Sequence, residues 1–145
     1  MNSAVLAILF ALLAGAAVQL QAPMASLMGQ KLGMFSSVFI VHIGGALLSL
    51  IPLTLAGGEN IREWRTLPWY ILLAGAFGLI VVSAMTYTIP RIGASATVTL
   101  MVVAQLVLAS IVDHFGLLGT STRPITFPQL IGFGVLVLGA WLVTK

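Results

Sequence analysis

The sequence has no cysteine and very little charge. Its 145 residues include six Lys or Arg and three Asp or Glu, so charged side chains make up only 6% of the chain. A water-soluble globular domain has about a quarter of its residues charged, and this class is therefore excluded. Without cysteine there are no disulfides, no thiolate metal ligands and no cysteine nucleophile. The basic residues are scattered singly, which excludes nucleic acid as a partner.

Hydrophobic residues make up 60% of the chain and lie in long runs separated by short polar stretches. A helix needs about 20 mostly apolar residues to cross the hydrocarbon core of a bilayer. The pattern predicts an all-α, polytopic membrane protein that is one transmembrane domain over residues 1–145, with the lipid bilayer as a partner. We find no internal repeat. The five transmembrane helices are predicted at about residues 4–21, 36–56, 68–89, 94–112 and 127–143.

The fourth predicted span is an uncharged run, residues 94–112, in which Gln105 is the one strongly polar side chain. Arg91 and Asp113 bracket the run, and we expect Asp113 to pair with Arg123. All three residues are interpreted as structural groups at helix ends. Asp113 and the following His114 point about 100° apart on a helix, so they do not form a catalytic pair. We predict no catalytic residue, no metal site and no cofactor.

Several local patterns predict helix ends. Asn2 or Ser3 is available as the N-cap of the first helix, and Pro23 is expected to end it and open a linker. Gly57 and Gly58 are expected to end the second helix. Thr126 has capping-box spacing to a glutamine three residues later, which predicts the start of the fifth helix.

The polar side chains within the predicted spans are the candidates for contact with a substrate. Hydroxyl groups gather on one stripe of the third span, and single amides or an imidazole occupy three other spans. Polar groups in transmembrane helices also serve as interhelical hydrogen bonds, and that alternative stays open for each of them. The candidate substrate-binding residues are Gln19, His42, Ser83, Thr86, Tyr87 and Gln105.

Motifs in the second half of the chain resemble those of a known family. They are P-R-x-G-A at 90–94, D-H-F-G-L-L-G at 113–119 and G-x-x-x-x-G-x-x-L at 134–142. This pattern is similar to the YdcZ-type family of the drug/metabolite transporter superfamily, and the resemblance covers nearly the whole chain. It implies a five-helix, multi-pass protein of the prokaryotic cytoplasmic (inner) membrane with an exporter-like function. It implies no particular substrate.

Five spans cannot be divided into two equal halves, although transporters of this kind need two halves around a midplane site. We therefore expect the functional unit to be a homodimer. Positive charge in the connecting segments orients a membrane protein, and here the two sides carry three basic residues each. This balance predicts an antiparallel dimer, and the family resemblance implies the same. One side carries Arg62, Arg65 and Arg123; the other carries Lys31, Arg91 and Lys145.

The expected function is small-molecule transport by alternating access at the interface of the antiparallel dimer. No carboxylate lies inside any predicted span, so a permanent cation would lack a compensating charge, and neutral or zwitterionic substrates are favoured. Two alternatives remain: a passive channel or facilitator, and a membrane scaffold or accessory subunit that does not transport. An enzyme is not expected, because no nucleophile-base spacing or phosphate-binding loop is present.

Overall fold

The computed structural model describes residues 3–145, and every regular element in this part of the chain is helical. Four α-helices follow one another: α1 (Ser3–Leu32), α2 (Met34–Leu55), α3 (Ala74–Phe115) and α4 (Phe127–Thr144). Each is long and apolar enough to cross a membrane. The N-cap predicted at Asn2 or Ser3 lies outside the residues and side chains that the structure describes.

Helix α3 contains two spans. Gly93, with φ 82° and ψ 162°, is non-helical and divides the helix into residues 74–92 and 94–115. Each segment is about the length that a bilayer requires. The chain thus has five helical segments of spanning length within its described part. The break lies at Gly93, whereas Pro90 lies inside the helix.

The first helix is longer than predicted. α1 continues through Pro23 to Leu32, so the expected linker is helical and the connection to α2 is reduced to Gly33. Pro23 removes the N–H that would bond to the carbonyl of Gln19, a cost that membrane helices tolerate because neighbouring helices support them. With 30 residues, α1 is about 45 Å long and exceeds the ~30 Å hydrocarbon core.

Of the other predicted helix ends, the end of the second helix and the start of the last are confirmed. The start of the third is displaced. Gly57 (φ 71°) and Gly58 (φ 84°) follow the end of α2 directly. The capping box of α4 is present, since the Thr126 N–H donates to Gln129 Oε1 at 2.8 Å. The third span was expected from residue 68, but the α-helix starts at Ala74, after short 3₁₀ helices at Ile61–Thr66 and Ile71–Leu73.

The two glycine breaks, at Gly33 and Gly93, lie in short segments of similar sequence. Gly33 has φ 90° and ψ 151°, close to the values at Gly93. Both glycines follow a basic residue and a branched aliphatic one, and both precede a buried hydroxyl residue four positions later. Residues 31–38 and 91–98 therefore share a short local pattern around the glycine break. The matching positions are Lys31 with Arg91, Leu32 with Ile92, Ser37 with Thr97, and Val38 with Val98.

The chain forms two compact units, divided between Arg91 and Ile92. The first unit contains α1, α2 and residues 74–91 of α3. Its core is the cluster of Ala25, Val38 and Val82, one residue from each helix, with Met28 and Val41 packed against it. Small residues at a helix interface let the backbones approach closely, as is usual in membranes.

The second unit, Ile92–Lys145, contains the second segment of α3 together with α4. An apolar hollow of about 430 Å³ lies between these helices, with Val103 on α3 and Gly139 and Ala140 on α4 among its walls. Elsewhere in both units, large apolar side chains such as Phe10, Leu48 and Leu138 are more than half exposed. Surfaces of this kind are suited to contact with lipid or with another transmembrane chain.

Candidate functional site

The candidate site lies in the first unit, where the interior facing α1 and α2 is lined by hydroxyl groups of α3. Thr86 is only 6% exposed, and Ser83 is half-buried one turn earlier on the same helix. Neither the Ser83 Oγ nor the Thr86 Oγ1 has a hydrogen-bond partner, and both atoms are shielded from solvent. We call Ser83 and Thr86 the hydroxyl pair.

The hydroxyl pair differs from several other hydroxyls of the helices. A Ser or Thr inside a helix commonly bonds to the carbonyl three or four residues earlier. Thr88, two positions after Thr86, does so with Ala84 O at 2.7 Å. Thr54, Thr97, Thr99, Ser110 and Thr144 make the same kind of bond at 2.8–2.9 Å. The hydroxyl pair thus keeps its hydrogen-bonding capacity, which is available to a ligand.

Helix α1 approaches the hydroxyl pair closely because it has a glycine there. A Cβ added at Gly29 would collide with Thr86 Cγ2, so only glycine allows this approach of α1 to α3. One turn earlier on α1, Ser26 is buried, and Ser37 of α2 donates its hydroxyl to Ala25 O at 2.7 Å. These contacts fix the helices around the hydroxyl pair through small residues rather than through bulky apolar ones.

His42 joins the site from α2. Its Nδ1 lies 2.8 Å from Val38 O, one turn back on its own helix. Since a carbonyl only accepts, Nδ1 carries the proton, and Nε2 of the neutral ring is left as an acceptor. Nε2 faces α3, where a Cβ added at Gly78 would lie 2.9 Å from it. The imidazole therefore lies between α2 and α3. It faces α3 at Gly78, five residues before Ser83.

Tyr87 and Arg91 form the end of the site nearest Gly33. The Arg91 guanidinium stacks on the Tyr87 ring, 3.6 Å from its centroid, and Nη1 donates to Tyr87 O at 2.6 Å. Next to them an open cleft of about 470 Å³ is lined by residues of all three helices of the first unit, including Gln30, Met34 and Thr86.

The two predicted amides are not part of this group. Gln19 is exposed on α1, one turn before buried Ala22, and Gln105 is exposed on the part of α3 that belongs to the second unit. His42 on α2 and Ser83, Thr86 and Tyr87 on α3 all lie in the first unit. For the amides, a role in substrate binding stays a prediction.

The expected helix-end groups after α3 are connected through the backbone. Asp113 O accepts the N–H of Arg123 at 2.8 Å and that of Gly116 at 3.2 Å. His114 Nδ1 accepts the N–H of Ile125 at 3.0 Å, so this imidazole holds the loop that returns to α4. The ion pair between the Asp113 and Arg123 side chains stays a prediction.

Three residues beside the candidate site were not identified from the sequence: Gly29, Gln30 and Gly78. Gly29 and Gln30 were placed in a linker, because Pro23 was taken as the end of the helix. Gly78 lies on the small-residue side of α3, but nothing in the sequence indicated that His42 would lie across it. Within the described residues no group of three or more His, Cys, Asp or Glu could hold a metal ion.

Two comparisons with known proteins point to the same family. The family model described as "Putative inner membrane exporter, YdcZ" matches residues 6–142. Inner membrane protein YdcZ of Escherichia coli (strain K12) is 32% identical over 88 residues, which are 61% of this chain and 56% of that protein. The match thus spans little more than half of the relative. No solved structure matches the chain.

The family match and the apolar helices agree with the sequence-based expectations. Four helices are long and apolar enough to span a membrane, and one of them contains two spanning segments. The prediction of a multi-pass protein of the inner membrane is confirmed. The chain belongs to the YdcZ family of inner membrane proteins.

Proposed function

We propose that the protein is a small-molecule transporter whose substrate binds at the hydroxyl pair and His42 of the first unit. The observation that carries this proposal is the pair of shielded hydroxyls without partners, Ser83 and Thr86, in a chain where comparable hydroxyls bond to their own helix. A buried polar group without a partner costs free energy, so its presence calls for a role such as ligand binding. The family description as exporters supports transport at a general level.

The chemistry of the site favours a neutral or zwitterionic substrate. Two hydroxyls donate or accept, and the imidazole of His42 offers one further ring nitrogen, Nε2. None of these groups carries a fixed negative charge, and the three acidic residues of the chain, Glu59, Glu63 and Asp113, lie in or beside the connecting segments. A permanent cation in this site would lose its hydration without gaining a counter-charge.

The mechanism we propose is alternating access between two chains inserted in opposite orientations. Thr86 lines the open cleft and packs directly on Gly29, so α1 and α3 separate when a substrate passes from the cleft toward Ser83. A second copy supplies the other half that such rocking requires. The equal distribution of basic residues between the two sides supports insertion in both orientations.

The experiment starts with a thermal-shift screen of the purified protein against metabolites. A ligand that binds only the folded state stabilises it by about 2.7 kcal/mol when present at 100 times its Kd. Positive compounds are then tested for concentrative uptake into proteoliposomes, comparing wild type with Ser83→Ala and Thr86→Val. Both variants should lose uptake, and Thr88→Val should retain it. Equal uptake by all four proteins would remove the hydroxyl pair from the transport path.

The same assay separates the alternatives. Uptake that only equilibrates a substrate across the membrane would identify a passive channel or facilitator. A protein that transports none of its ligands but copurifies with another membrane protein in fixed ratio would be a scaffold or accessory subunit.

A further inference from the structure

The cleft beside Tyr87 has the composition of a binding site for an anionic group. It lies within the first unit, between the end of α1, the start of α2 and residues 86–91 of α3, and measures about 470 Å³. Met34 and Pro90 provide apolar walls, whereas Gln30, Thr86 and Arg91 provide polar ones. No acidic residue is among the described residues that line it.

Arg91 is held in place and still has donors available. Its guanidinium is fixed against the Tyr87 ring at 3.6 Å, and one nitrogen, Nη1, bonds to Tyr87 O. A guanidinium has five N–H donors in a rigid planar fork that matches the two oxygens of a carboxylate or phosphate. An arginine fixed by stacking loses little further freedom when it binds such a group.

Thr86 is the second, independent observation. The residue is 6% exposed and lines the cleft, and its hydroxyl has no hydrogen-bond partner. Because Thr86 and Arg91 line the same cleft, both can donate to one oxyanion bound there. The side-chain amide of Gln30 lies exposed at the opposite wall, on α1.

We propose that Arg91 and Thr86 form a subsite for the carboxylate or phosphate of a small amphiphilic molecule, whose apolar part lies against Tyr87 and Met34. This inference rests on the proposed function and refines it, since it names the charged group that the substrate carries. For a zwitterionic substrate, the subsite receives its negative end. Arg91 therefore has a role in specificity beyond its position near the end of a helical segment.

The oxyanion can come from a dissolved solute or from the headgroup of a phospholipid, and the chemistry of recognition is the same. The test uses full-length protein in nanodiscs of pure phosphatidylcholine, with benzoate as the probe and benzamide as its uncharged analogue. Binding is measured by calorimetry. Wild-type protein should bind benzoate at least tenfold more tightly than benzamide, because a hydrogen bond to a charged group contributes about 1.5–3 kcal/mol. Equal affinities would overturn the proposal, whatever any variant does.

The variants locate the binding. Arg91→Gln should weaken benzoate binding about tenfold or more. Thr86→Val should weaken it several-fold, which corresponds to the loss of one charge-assisted hydrogen bond. Arg65→Gln is the matched control, because Arg65 stacks on Trp64 as Arg91 stacks on Tyr87, yet lies in the segment before α3. Arg91→Lys keeps the charge and should bind with intermediate affinity. If Arg91→Gln binds benzoate as Arg65→Gln does, the subsite is refuted.

A second set of nanodiscs containing phosphatidylglycerol identifies the source of the oxyanion. If the anionic lipid lowers benzoate affinity in wild type but not in Arg91→Gln, the subsite is supported and holds a lipid headgroup. If the lipid has no effect, the subsite is supported and takes a dissolved solute. A failure of benzoate to bind, while a compound from the metabolite screen still depends on Ser83, would refute the subsite and leave the transporter proposal intact.

Discussion

Replacing Thr86 with valine should make the ligand-free protein more stable while reducing transport. Valine has the shape of threonine without the hydroxyl, and the Thr86 Oγ1 is buried with no partner. A buried polar group left unpaired costs about 1–3 kcal/mol, although hydrogen bonds in membranes average only ~0.6 kcal/mol. We therefore expect a gain of about 1 kcal/mol in the free energy of unfolding, or roughly 3 °C in Tm for a chain of this size.

The matched control is Thr88→Val on the same helix. The Thr88 hydroxyl already bonds to Ala84 O at 2.7 Å, so its removal should leave stability unchanged or lower it by a few tenths of a kcal/mol. Both variants are measured by thermal unfolding in the same detergent without ligand, and then by uptake into proteoliposomes. The combination of higher stability and lost uptake at Thr86 alone is the result that the site predicts. A loss of stability at Thr86 larger than at Thr88 would show that its hydroxyl is a structural group, and would refute the reasoning.

Three further predictions concern Gly29, His42 and Gly93. Gly29→Ala should force α1 away from Thr86 and lower both Tm and uptake. Gly15→Ala, with open space at its Cβ, should be neutral or raise the free energy of unfolding by up to about 1 kcal/mol, because alanine is the better helix former. His42→Ala should lower uptake, because it removes the imidazole that lies between α2 and Gly78 of α3, and unchanged uptake would show that His42 is structural. Gly93→Ala should cost about 1–3 kcal/mol, because φ at Gly93 is +82°, and thermal unfolding should show the loss, whereas a neutral effect would contradict the backbone conformation.

The spans themselves could be predicted, because they depend on the number of consecutive apolar residues, and that number is read directly from the sequence. Gly57 and Gly58 after α2, and the Thr126–Gln129 box before α4, could be predicted for a similar reason, since a helix end is decided by residues within one turn of it. Pro23 was misleading because its effect depends on the neighbouring helices. In water a proline inside a helix is costly, but packed helices sustain α1 to Leu32.

The composition of the site could be predicted only in part. His42, Ser83, Thr86 and Tyr87 were identified because polar residues in apolar spans are few. Their partners Gly29 and Gly78 were missed, because a glycine contributes by the close approach it permits, and which helix approaches is a property of the tertiary structure. The sequence also could not show that the hydroxyls of the pair lack a hydrogen-bond partner. Thr86 and Thr88 have the same side chain in the same helix, but only the Thr88 hydroxyl bonds to that helix.

The orientation of the chain in the membrane tests the proposed mechanism most directly, and the absence of cysteine makes it measurable. A single cysteine introduced as Ser121→Cys lies exposed in the segment between α3 and α4, and it is the one thiol in the protein. In intact cells, a membrane-impermeant maleimide labels only the thiols on the outer side of the membrane. The same reagent applied to permeabilised cells labels all thiols and gives the total. Two chains of opposite orientation predict that about half of the thiol reacts in intact cells, since a chain without charge bias inserts both ways. Labelling of all or none of the thiol would show a single orientation and would contradict the antiparallel dimer.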